Sequence, residues 1–143
     1  MLNFVEFGLR RSYPHLLPVD VALWEKFIHQ YPGYFSQVAY DVHVGEGIII
    51  PDGYDESLRG MAKTLTQKRI DVVGMAGGIA WIVEVKSYAG VTAVGQVMTY
   101  RQLLSQDHPD LTNIGMMILT DVFQPDMVGI MSEMNISFVA VGQ

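Results

Sequence analysis

Cysteine is absent from this 143-residue sequence, which excludes disulfides and thiolate-bound metals and leaves the redox compartment unread. Charge is sparse. Only 17% of residues carry it and half are apolar, a balance that excludes a disordered chain or a coiled coil. No apolar run approaches the roughly 20 residues that cross a bilayer, so no membrane partner is expected. Basic residues are few: 9 Lys and Arg against 15 Asp and Glu give a net charge of −6. That argues against a protein that coats nucleic acid through charge alone, yet leaves room for a nuclease, whose metal-binding carboxylates are themselves acidic. The four histidines (His15, His29, His43, His108) show no paired zinc-type spacing, and no Gly-x-Gly-x-x-Gly or P-loop pattern occurs. Near the start, Glu6 sits among the apolar residues and Arg10-Arg11 follow them, the reverse of a secretory signal, so a cytoplasmic location is expected.

What is present fits one α/β domain over residues 1–143, with no repeat, linker or low-complexity tract. Residues 19–31 place Val21, Leu23, Trp24, Phe27 and Ile28 at helical spacing, with Asp20 as cap and Pro32-Gly33 as stop. Residues 36–44 alternate, Val38, Tyr40, Val42 and Val44 against Asp41 and His43, the pattern of a strand with one wet face. Residues 51–67 read as a loop with at most a short helical turn at 58–62. Residues 68–75 and 79–86 are β-rich and joined by Ala76-Gly77-Gly78, which predicts a hairpin. A helix over 92–105 follows, closed by His108-Pro109-Asp110, then a strand at 114–119 apolar enough to be covered on both faces. Pro125 opens a helix over 126–134 that stops at Asn135, and residues 136–141 form a last strand. The order α-β-β-β-α-β-α-β predicts a mixed sheet of about five strands flanked by helices, antiparallel first and parallel afterwards.

Charges interrupt the oily strands in one place. Asp71 breaks Ile70-Asp71-Val72-Val73, while Glu84 and Lys86 break the run from Trp81 to Lys86. Strand alternation puts Glu84 and Lys86 on one face, and a hairpin brings Asp71 to them. Two neighbouring carboxylates repel unless a positive charge lies between them, and hard divalent cations take such oxygen ligands. A purely structural ion pair with Lys86 is the plainer account. On the next helix Gln96 and Tyr100 lie four apart and share a face. Residues 59–69 hold Arg59, Lys63, Lys68 and Arg69 with no acid.

Asp71, then Glu84-Val85-Lys86, then Gln96-x-x-x-Tyr100 resembles the PD-(D/E)xK nuclease superfamily, and within it the branch of RecB-type domains and lambda exonuclease. The motif covers residues 69–104, and the element order extends the likeness to about 19–142. The resemblance implies a restriction-endonuclease-like fold and a metal-dependent nuclease that hydrolyses phosphodiester bonds in DNA. Asp71, Glu84 and the Val85 carbonyl would then bind Mg²⁺ or Mn²⁺, with Glu25 as the acidic residue contributed by the first helix. Lys86 would orient or deprotonate the attacking water, and Gln96 and Tyr100 would brace the site or touch the strand. Arg59, Lys63, Lys68, Arg69 and Arg101 would contact phosphates. Ile70 stands directly before Asp71, where the superfamily often has proline. So small a domain would draw specificity from a homo-oligomer or a larger assembly. The alternative of another class is a non-catalytic assembly module on the same fold, such as a phage head–tail joining protein located in the virion.

Overall fold

A computed structural model describes residues 2–122 and 124–142. Helix α1 spans Pro18–Gln30 and strand β1 Gln37–Val44. Helix α2 spans Glu56–Thr66 and leads into β2 (Lys68–Ala76) and β3 (Ile79–Tyr88). Helix α3 (Val91–Asp107), β4 (Ile114–Val122), α4 (Pro125–Glu133) and β5 (Ile136–Ala140) complete the order. The five strands form one mixed sheet in the order β1-β2-β3-β4-β5. The first three are antiparallel, and β3, β4 and β5 are parallel. Gly77 and Gly78 make the two-residue hairpin turn with φ of 59° and 78°, backbone angles that carry no steric cost in glycine.

The sheet separates two cores. On one face α1 contributes Leu23, Trp24, Phe27 and Ile28 to an aromatic-rich cluster with Phe35, Val83, Val85 and Met117. Trp24 is fully buried there and its Nε1 donates to the Tyr40 hydroxyl at 2.8 Å. On the other face α3 and α4 pack Ala93, Val97, Leu104, Met127 and Met131 over Ile82, Ile118 and Ile70. Both parallel crossovers therefore carry their helix on the same side, as right-handed connections moving one way along a sheet require.

Three expectations change. Asp20 does not cap α1: Leu17 is the N-cap residue, Pro18 opens the helix, and Asp20 lies in its first turn. Residues 51–67 are not a loop, because α2 is an eleven-residue helix whose Asp55 side chain accepts the Leu58 N–H at 2.7 Å. Its apolar residues bury nothing, so no core-facing pattern announced it. Nor does β1 alternate simply. Asp41 adopts φ 52°, and the strand changes phase there. Val38 and Tyr40 pack on the α1 side, whereas Val42 and Val44 pack on the α3 side.

One close approach gives a direct test of the packing. A Cβ on Gly115 of β4 would sit 2.5 Å from Cε3 of Trp81, whose indole lies across this backbone from the paired position on β3. Gly115→Ala is expected to destabilise the fold by about 1–3 kcal/mol, lowering Tm by roughly 3–10 °C in thermal denaturation. An unchanged Tm would mean the indole has room to move.

Candidate active site at a split in the sheet

The hairpin register runs from Ala76 opposite Ile79 to Val72 opposite Val83, and stops. Beyond it β2 stays paired with β1, as far as Lys68 opposite Val44, while β3 stays paired with β4, as far as Tyr88 opposite Val122. Asp71 stands at the split. Like Asp41 on β1, it marks a change of phase, since Ile70 joins the α3-side core and Val72 the α1-side core. Here carboxylates replace the backbone ladder. The Val85 N–H donates to Asp71 Oδ2 at 3.0 Å, and the Asp71 N–H donates to Glu84 Oε2 at 3.1 Å. Two main-chain N–H groups at the parting strands are thus satisfied by the two acids.

Both acids are buried, Asp71 at 7% and Glu84 at 1% exposure. Burial raises the Asp71 carboxyl above its ordinary range, against the opposing pull of the Val85 N–H and the Lys86 charge. Burial and then the Asp71 charge push Glu84 up to about 8. Lys86 Nζ lies 3.9 Å from Glu84 Oε1, too far for a strong hydrogen bond, and its side chain keeps about a third of its surface in solvent. From α3, the Gln96 amide donates to the Tyr100 hydroxyl at 3.4 Å, a long contact. The Tyr100 hydroxyl is held above its ordinary value by burial and by the Glu84 charge. Gln96 Oε1 is buried with no hydrogen-bond partner among the described residues. Lys86 and Gln96 also line an open cavity of about 350 Å³ with Tyr88, Gly90, Val91, Thr92 and Ala93. The strand triad and the α3 pair therefore meet in one place.

The remaining candidates distribute differently. Glu25 is not brought there: its Oε2 accepts from the Tyr13 hydroxyl at 2.9 Å. The acid of α1 that faces the site is Asp20. Its charge acts on Lys86, Asp71 and Glu84, and burial raises its own carboxyl against the Lys86 charge. The sequence offered only a weak signal for it, an acid at the start of the first helix that reads as a cap. His15, at φ 70°, lies close enough to Asp71 and Asp41 to act on both carboxyls electrostatically. Arg69 is occupied, with Nε and Nη2 each donating to Asp41 at 2.8 Å. Burial raises Asp41, but Arg69 outweighs it and holds that carboxyl below its usual range. His43 Nε2 lies 3.5 Å from the same aspartate. Arg101 is tied by Nε to the Ile114 carbonyl, at the start of β4 and away from Glu84. Arg59 reaches Asp52 at 3.2 Å, and Lys63 and Lys68 lie exposed around the loop between β1 and α2.

The donor set suits a hard cation. Asp71 and Glu84 are adjacent buried acids that meet a lysine only at 3.9 Å, and the Gln96 oxygen can accept from a coordinated water. No group of three or more His, Asp or Glu side chains is drawn together among the described residues. Two carboxylates nevertheless fit Mg²⁺, which keeps several waters and rarely takes a full protein cage. Comparison of the chain with protein-family models, with curated proteins and with solved structures finds no match. The class defined by the described residues is an α/β domain with a mixed five-stranded sheet, four flanking helices and, where the sheet divides, two buried acids beside an open cleft lined by Lys86 and Gln96. Among the described residues no helix is long and apolar enough to cross a membrane.

Proposed function

We propose that the cleft is the active centre of a metal-dependent nuclease acting on DNA, built on a restriction-endonuclease-like fold of the PD-(D/E)xK type. What carries the reading is one observation: Asp71, Glu84 and Lys86 converge where β2 leaves β3, beneath Gln96 and Tyr100. Asp71 and Glu84 would hold Mg²⁺ or Mn²⁺, with the Val85 carbonyl as a third donor and Asp20 within electrostatic reach. A bound dication supplies Lewis-acid stabilisation to the phosphoryl oxygens and lowers the pKa of water. The chain's own groups do the rest. Lys86 presents its ammonium at the rim, where it orients the attacking water and offsets charge building on the phosphate. Gln96 Oε1 accepts a hydrogen bond from water or a sugar hydroxyl, and Tyr100 fixes the Gln96 amide.

Phosphate contacts fall to Lys63 and Lys68, and to Arg59, whose pair with fully exposed Asp52 is weak enough to exchange, since Arg69 and Arg101 are engaged within the fold. Metal-dependent cutting of labelled single- or double-stranded DNA in Mg²⁺ or Mn²⁺, abolished by EDTA, is the expected result. No cleavage under any of these conditions would remove the reading. One observation favours the assembly-module alternative: among the described residues nothing buries the apolar outer face of α2. A catalytically silent protein that enters a multimer would support that reading.

A further inference from the structure

Helix α2 buries none of its residues, yet it is strongly amphipathic. Leu58, Met61 and Leu65 form an outward stripe, with Leu65 77% exposed. The preceding segment adds Ile48, Ile49 and Tyr54, and Ile49 is 73% exposed. The stripe and its neighbours leave several apolar side chains bare, the kind of exposed patch that on a monomer marks an interaction site. The platform is built: Thr66 Oγ1 accepts from the Ile48 N–H, and Gln67 Nε2 donates to the Gly45 carbonyl at 2.7 Å.

We infer that this face pairs with the same face of a second copy, the two α2 helices lying antiparallel about a twofold axis between Met61 and Ala62. Turning the helix end for end about that point exchanges Leu58 with Leu65 and Met61 with Ala62, so the stripe maps onto itself, as a twofold interface demands. Large meets small, because Met61 of one copy covers half-buried Ala62 of the other. A cavity of about 210 Å³ lined by Ile48, Ile49, Ile50, Glu46, Arg59 and Lys63 lies on the flank of the same helix. The flanks agree electrostatically. Arg59 of one copy falls opposite Thr64 of the other, Ser57 falls opposite Thr66, and no like charges confront each other. The antiparallel arrangement also opposes the two helix dipoles. The pairing is independent of whether the cleft cuts nucleic acid.

The full chain is expected to sediment as a dimer at tens of micromolar. Leu58→Glu combined with Leu65→Glu should weaken association at least tenfold while far-UV circular dichroism is unchanged, since neither side chain is buried. Orientation is read by crosslinking, which the absence of cysteine makes unambiguous. A mixture of Leu58→Cys and Leu65→Cys chains should form the mixed disulfide under mild oxidation. Leu58→Cys alone should not, because seven residues of helix rise separate the two copies of position 58 by about 10 Å, beyond disulfide reach. A monomer throughout, a dimer indifferent to the glutamates, or self-crosslinking of Leu58→Cys as fast as the mixture would each overturn the pairing.

Discussion

Glu84→Ala and Lys86→Ala are each expected to lower Mg²⁺-dependent DNA cleavage by about a hundredfold to a thousandfold while the chain stays folded. Glu84 is the more central acid. Its Oε2 takes the Asp71 N–H and its Oε1 is the atom nearest Lys86, so its removal deletes a metal donor and the anchor of the ammonium together. Lys86 contributes charge at the rim, where phosphate would arrive, and alanine leaves that charge unreplaced. A purely structural ion pair makes a different forecast. Breaking a buried pair that the fold depends on costs about 3–5 kcal/mol, because one charge is left alone in the interior. The 3.9 Å separation and the partly exposed Lys86 point instead to a loss of stability under about 1 kcal/mol. Single-turnover cleavage measured beside chemical denaturation separates the two cases. Full activity in both variants, or unfolding of Lys86→Ala, would defeat the catalytic assignment.

The second large effect concerns pH and metal. Glu84 rises from an ordinary value of 4.5 to about 8 through burial and the neighbouring Asp71, and Asp71 and Asp20 are raised as well. The fold therefore favours the protonated acid. The stability that neutral Glu84 contributes is complete below pH about 4.5, and it is lost as pH rises through about 8. In EDTA, Tm is expected to fall between pH 5 and 8.5, with unfolding free energy declining by roughly a few kcal/mol. Glu84→Gln should flatten the decline and be the more stable protein at pH 8. Millimolar Mg²⁺ or Mn²⁺ should restore the wild type but not this variant, by about 2.7 kcal/mol when the ion stands at a hundred times its dissociation constant. A pH-independent Tm in EDTA, or equal metal stabilisation of both proteins, would count against a cation-binding pair.

The sequence by itself determined most of the architecture, because periodicity is a local property. The helical spacing of Leu23, Trp24, Phe27 and Ile28, the double glycine of the hairpin, and the placement of Pro125 and Asn135 report φ, ψ and burial without reference to distant residues. The triad was legible for a related reason: charge inside an oily strand is costly enough to need a purpose, and Asp71, Glu84 and Lys86 stand out against Val, Ile and Trp. Tertiary structure decided what depends on remote partners. Arg69 looks free in the chain, yet Asp41, 28 residues away, takes two of its three guanidinium nitrogens. Asp20 rather than Glu25 faces the cleft because the rotation of α1 is set by Trp24 and Phe27 packing into the sheet. The phase changes at Asp41 and Asp71, which part β2 from β3, arise from three strands meeting two cores at once, a balance of packing that no window of neighbouring residues contains.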